Sequence, residues 1–176
     1  MESILIVTGS ASIVMEDIRE ASALVAPRHV DWMAIGMDAT DKYLWPIKYM
    51  ATYHPFDIPF ARAKRKAMGG NTDYQVVSID PGKQDFVVEP IHILMPYSPP
   101  PGSSAFLGAQ AGIELGYKKI ILCGCPLLQL ESPHNYENFQ QGWIDKGAYV
   151  QGKVKSLSGW TKEFLGEPTK EWLDAE

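Results

Sequence analysis

Ile4-Leu5-Ile6-Val7-Thr8-Gly9-Ser10-Ala11-Ser12 is the stretch on which the fold turns. Five apolar or β-branched residues in a row, closed by a glycine, read as a short buried strand. Directly after it, residues 15–25 place Ile18, Ala21, Leu24 and Val25 at the three- and four-residue spacing of a helix. The unit is therefore strand, small-residue loop, helix. Ser12 is expected to cap the helix through its hydroxyl, and Pro27 marks the exit.

The same alternation continues outward. Residues 32–37 read as a second strand ending in the polar stretch 38–41, and 49–53 as a third ending at His54-Pro55. Helical spacing over 58–68 carries Arg62, Lys64, Arg65 and Lys66 before Gly69-Gly70 breaks it, and these cations read as a solvated face near the helix C-terminus. Residues 74–79 and 86–93 read as two more strands around the turn Asp80-Pro81-Gly82-Lys83, forming a hairpin or an edge insertion. A proline-stiffened loop over 96–101 delivers the chain to Gly102-Ser103-Ser104 and a small-residue helix over 105–115, with Gly116 as its C-cap. Residues 119–123 form the clearest buried strand. A helix within 136–151, a strand at 154–157 and an amphipathic segment over 161–173 complete the reading. Strands alternating with helices predict one α/β domain over 1–176, in three layers, with a mostly parallel sheet covered by helices on both faces.

Composition narrows the function. At 176 residues and 45% apolar the chain has material for one core, since a domain of roughly 150 residues buries about 70% of its unfolded surface. A formal charge of −5 supplies no broad basic field, so extended nucleic acid binding is disfavoured. No apolar stretch approaches the roughly 20 residues that span a bilayer, and no basic leader precedes the first strand, so a cytoplasmic protein is expected. Cys123 and Cys125, two apart in a strand, point to opposite faces and do not bridge, which fits a reducing compartment.

In a parallel sheet, ligands sit beyond the carboxyl ends of the strands. The tips expected there are Gly9, Ser10 and Ser12; Asp38 and Asp41; His54; and the stretch from Gly124 to His134. Gly102, Ser103 and Ser104 join them at the start of the following helix only if residues 91–95 also form a sheet strand. Small side chains and free N–H groups at a strand-to-helix turn suit a phosphate or carboxylate, although the first loop is neither a dinucleotide fingerprint nor a P-loop and also reads as a tight turn. The paired serines at 103 and 104 are not explained by helix packing, whereas the alanines and glycines behind them are. His54 and His134 lie on edge loops beside prolines, where an imidazole serves as a base or a phosphate ligand; His29 and His92 read as structural. Asp38 is placed to receive a ribose hydroxyl. No residue spacing indicates a resident metal.

Gly102-Ser103-Ser104, followed by Leu115-Gly116-Tyr117-Lys118-Lys119-Ile120-Ile121-Leu122-Cys123-Gly124, resembles a pattern of bacterial sialyltransferases of the lipooligosaccharide type and of the related hydroxymethylpterin pyrophosphokinase-like proteins. The resemblance implies a Rossmann-like sheet that binds a cytidine nucleotide sugar. Nucleotide contacts would fall at Gly9, Ser10, Ser12, Ser103 and Ser104, with His134 as general base and no cofactor. In the pyrophosphokinase variant, magnesium would be held through Asp38 or Asp41. The expectation is thus a nucleotide or nucleotide-sugar binding protein, and a transferase if it is an enzyme. The alternative is a non-catalytic assembly module, with Trp143, Trp160, Phe164 and Trp172 either at a subunit interface or covering the sheet as core. A homo-oligomer is compatible with both.

Overall fold

The computed structural model describes residues 3–79, 91–95, 103–128 and 136–175. Seven strands form one sheet: β1 (Ile4–Thr8), β2 (Val30–Ile35), β3 (Tyr49–Thr52), β4 (Gln75–Ile79), β5 (Ile93–Met95), β6 (Lys119–Cys123) and β7 (Val154–Ser156). Their order is β5-β4-β3-β2-β1-β6-β7, and every pairing is parallel. The hairpin expectation is therefore corrected, because Val77 lies beside Ile93 and Ile79 beside Met95 with both strands running the same way. The strand expected over 86–93 becomes Ile93–Met95, while residues 80–90, including the 80–83 turn, lie outside the described residues. Turn chemistry is local and does not report whether the chain pairs directly or crosses over first. His92 joins this edge, its N–H donating to the Val76 carbonyl at 2.9 Å and its Nδ1 accepting the Val76 N–H at 3.0 Å.

Alternate strand residues divide the core in two, as the period of 2 requires. Leu5, Val7, Met33, Ala51, Val77 and Leu122 face one side, beneath α4 (Ser103–Glu114). Ile4, Ile6, Ala34, Met50, Val76 and Ile121 face the other, beneath α1 (Val14–Val25). A Cβ on Gly108 would stand 3.1 Å from Val7, Met33 and Ile35, and one on Gly112 only 2.6 Å from Leu5. The glycines thus let α4 lie directly on the sheet. Gly116, at φ +88°, ends that helix as expected.

Between β2 and β4, a short helical turn α2 (Gly36–Ala39), a 3-10 turn (Pro55–Asp57) and α3 (Ile58–Ala67) cover the α1 side. The solvated-face reading of the α3 cations fails at Arg65, which is fully buried. Its guanidinium donates to the carbonyls of Thr40, Tyr43, Trp45 and Asn71 and to Asn71 Oδ1, so each of its five N–H donors has an acceptor. The irregular loop 40–45 leaves carbonyls without strand partners, and a planar fork of donors satisfies them together.

The expected late helix is broken into α5 (Tyr136–Asp145) and α6 (Gly147–Val150), followed after β7 by α7 (Gly159–Leu165) and α8 (Lys170–Asp174). Trp143 is completely buried edge-on against Phe106, and Trp160 stacks on Phe164 at 4.9 Å over the α4-side core. Trp172 packs against the α1-side core and donates its indole N–H to the Gly152 carbonyl. These aromatics are core and core cover.

Candidate functional site

The chain runs outward from β1 through β2, β3, β4 and β5, then returns across α4 to place β6 on the other flank of β1. The β1/β6 boundary is the topological switch point, where connections diverge and open a crevice at the carboxyl edge. Gly9 and Gly124 meet there. The Gly9 N–H donates to the Cys123 carbonyl at 2.8 Å, and a Cβ on Gly9 would stand 2.2 Å from the Gly124 carbonyl oxygen, so only glycine fits. Ala11 N–H turns to the same Gly124 carbonyl. Gly124, at φ +64°, donates its own N–H to Asp17 Oδ2 at 2.7 Å, and the Ser158 hydroxyl donates to that oxygen at 2.6 Å.

Asp17 is 3% exposed and ties β1–α1, β6 and β7 together, yet sequence reasoning passed over it. Its signal was an acid between Val14 and Ala21 on the helix face that turns inward. The first loop also differs from expectation at its cap. The N-cap is Ile13 with no side-chain hydrogen bond, so Ser12 does not cap α1. A turn in which the Val14 N–H reaches back to the Ala11 carbonyl delays the helix start past the serine. Ser10 and Ser12 are exposed, and their hydroxyls have no partner among the described residues.

The start of α4 is arranged differently. Ser103 sits at φ +61°, a left-handed conformation costing roughly 1–2 kcal/mol for a residue with a Cβ. Its Oγ accepts the Phe106 N–H at 3.4 Å, while the Ser104 hydroxyl has no partner among the described residues. No acid occupies the first turn of this twelve-residue helix. Gly112 lies over β1 and β6, Gly108 over β1 and β2, and the helix also packs on β3, β4 and β5. The helix therefore runs diagonally, and its serine end leans away from the β1/β6 crevice toward the tips of β2 and β3. Gly102 lies outside the described residues.

Among the remaining residues, Asp38 is exposed on α2, while Asp41 is held by Lys64 at 2.6 Å. His54 is exposed directly after β3, its backbone N–H bonded to Thr52 Oγ1 at 2.9 Å. His134 lies outside the described residues. Burial pushes the Cys125 thiol up to about 12 and raises Cys123 as well, so neither supplies a thiolate. Among the described residues, no group of three His, Cys, Asp or Glu is placed to hold a metal ion. No described helix is long and apolar enough to cross a membrane.

At the opposite, amino edge lies an open hollow of about 520 Å³ lined by Asp31, Trp32, Lys48, Asn71 and Asp73, among others. Its polar groups are bound to one another. Lys48 Nζ reaches Asp31 at 2.8 Å, the Tyr117 hydroxyl donates to Asp31 at 2.5 Å, and Asn71 bridges Ile47, Arg65 and Asp73. Burial raises the Asp31 carboxyl, but hydrogen bonds from Lys48 and Tyr117 outweigh it and hold the group below its ordinary value. The size of the hollow is no guide to chemistry, because the Asp31, Lys48 and Asn71 side chains are already bonded within the protein.

No protein-family model and no curated protein sequence matches this chain. Among solved structures, the chain is similar to the sialyltransferase CstII from Campylobacter jejuni, determined in complex with a substrate analogue, cytidine-5′-monophosphate. The TM-score is 0.58 at 13% identity, with 97% of this chain and 87% of that one covered. The chain therefore has an α/β parallel-sheet fold of the kind found in that glycosyltransferase.

Proposed function

We propose that this protein binds a nucleotide or nucleotide sugar at the carboxyl edge of its sheet, with the phosphate on the first turn of α4. The observation that carries the reading is the start of α4: an acid-free amino end on a long helix, a left-handed Ser103, and a Ser104 hydroxyl with no partner among the described residues. The first N–H groups of a helix lack intrahelical acceptors and carry the positive end of its dipole, which favours an anion. The similarity in fold to a sialyltransferase solved with a cytidine nucleotide makes cytidine nucleotides the first to test.

As an enzyme, the protein would be a glycosyltransferase-like transferase. His134 would take the proton of an acceptor hydroxyl while that oxygen bonds to the anomeric carbon of the sugar. The bond from this carbon to the phosphate oxygen breaks, and the α4 N–H groups with Ser104 stabilise the departing nucleotide. No cofactor enters this scheme. The magnesium-dependent variant draws less support, because Asp41 already pairs with Lys64.

Calorimetric titration with cytidine and adenosine mono- and diphosphates, with and without EDTA, tests the reading. The expected result is binding of one nucleotide series that EDTA leaves unchanged. Binding that EDTA abolishes would favour the pyrophosphokinase-like reaction, and no heat with any nucleotide would overturn the proposal.

A further inference from the structure

Asp17 carries two carboxylate oxygens, and folding uses only one of them. Oδ2 accepts from the Gly124 N–H at 2.7 Å and from the Ser158 hydroxyl at 2.6 Å. Oδ1 has no donor among the described residues. Nor is it one of the unpaired side-chain atoms sealed from solvent, as Trp45 Nε1 and Trp143 Nε1 are. The residue as a whole is 3% exposed. A carboxylate offers about four acceptor sites, and leaving one side of a buried carboxylate empty is costly. An opening that brings water to Oδ1 can bring the donor of a ligand in its place.

The backbone beside that oxygen is held firmly. Gly124 at φ +64° and Leu127 at φ +47° turn the chain sharply after β6, and a left-handed leucine is a strained one. The Leu127 carbonyl accepts from Gln140 Nε2 at 2.9 Å, the Cys125 carbonyl from the Thr161 hydroxyl at 2.7 Å, and the Pro126 carbonyl from the Trp160 N–H at 2.8 Å. Strained backbone kept in place by its surroundings is concentrated at ligand sites. Asp17 therefore presents a spare acceptor at the tip of β6, beside the switch point.

The start of α4 leans toward β2 and β3, which lie two to three strand spacings from β6, or roughly 10–15 Å. A 5′-nucleotide with its phosphate on α4 reaches across that gap with its ribose hydroxyls, given a hydrogen bond at either end. A metal ion is a poorer occupant of Oδ1, since among the described residues no group of three His, Cys, Asp or Glu is placed to hold one.

We propose that Asp17 Oδ1 accepts a hydrogen bond from a ribose hydroxyl of the bound nucleotide, the role that the sequence suggests for Asp38. This rests on the nucleotide reading above and names the residue that recognises the sugar. Asp38 is exposed on α2, where water competes for the same hydroxyl. Asp17→Asn is the informative substitution. Its amide oxygen can take over the bonds from Gly124 and Ser158, and its NH2 group then sets a donor where the open acceptor stood.

Calorimetric titration with cytidine 5′-monophosphate and with 2′,3′-dideoxycytidine 5′-monophosphate, or with the adenosine pair where that series is the one bound, tests the assignment. The wild-type chain should prefer the hydroxylated nucleotide by about tenfold or more, as expected of a hydrogen bond to a charged group. Asp17→Asn should bring the two within about twofold, while Asp38→Asn should keep the preference. Within one variant the ratio is unaffected by a general loss of folded protein, and the wild-type comparison needs no variant at all. Equal wild-type affinities overturn the proposal, as does a preference that survives Asp17→Asn or disappears in Asp38→Asn; each of these leaves nucleotide binding standing. No heat with any cytidine or adenosine nucleotide overturns both readings together.

Discussion

Two helices begin at the same edge of the same sheet, α1 at Val14 and α4 at Ser103, yet they present opposite chemistry. The loop before α1 is engaged with its own protein: Gly9 and Ala11 donate to β6 and the residue after it, and Glu16 and Asp17 place two acids in the first turn. The first turn of α4 has no acid and retains the Ser104 hydroxyl. A carboxylate in a first turn neutralises the positive end of the helix dipole that would otherwise favour a phosphate. Resemblance in sequence between two glycine-and-serine loops therefore hides a difference: one knits the switch point together, and the other starts a helix with no acid in its first turn.

That contrast can be broken most forcefully at Gly9. A methyl group there collides with backbone and with the Cys125 sulfur, so Gly9→Ala should destabilise the protein by about 3 kcal/mol or more in urea unfolding. Asp17→Ala comes next, with a loss of about 2–4 kcal/mol, because a buried N–H and the Ser158 hydroxyl lose their shared acceptor. Asp17→Asn keeps an acceptor and should recover about half of that loss; equal losses for the two variants would mean that the charge itself is what the switch point needs.

Ligand affinity should show the reverse pattern. The double variant Ser103→Ala/Ser104→Ala should weaken nucleotide binding about tenfold and, because Ser103→Ala loses the bond to the Phe106 N–H without relieving the left-handed backbone, should cost about 1 kcal/mol of stability, while Ser10→Ala/Ser12→Ala should shift the dissociation constant by about twofold or less. If the second pair matters more, the assignment of the two loops is reversed. The smallest effect belongs to Ser103→Gly. Relief of the left-handed conformation offsets the lost cap, so stability should stay within about 0.5 kcal/mol by thermal unfolding.

The architecture was legible because the signals for it are local. Runs such as Ile4-Leu5-Ile6-Val7 and Lys119-Ile120-Ile121-Leu122-Cys123 are buried on both faces and read as such, and helical spacing located α1, α3 and α4. The direction of β5 was not legible, because the residues of a strand do not encode its partner. Arg65 was misread for a related reason. Four cations on one short helix look alike until the carbonyls of loop 40–45 single one of them out. Ser103 and Ser104 were singled out from their place before a small-residue helix, and the structure puts them at the start of α4, whereas Asp17 was hidden because its two donors lie more than a hundred positions away.

By itself the sequence determined an alternating parallel α/β domain with small-residue loops at its carboxyl edge, since backbone propensity and the period of burial are carried by neighbouring residues. Only the tertiary structure decided that the loop after β1 spends its donors on β6 and the residue after it. Whether a backbone N–H is free depends on the acceptor that folding brings to it, and for Gly9 that acceptor is the Cys123 carbonyl of β6, more than a hundred positions along the chain.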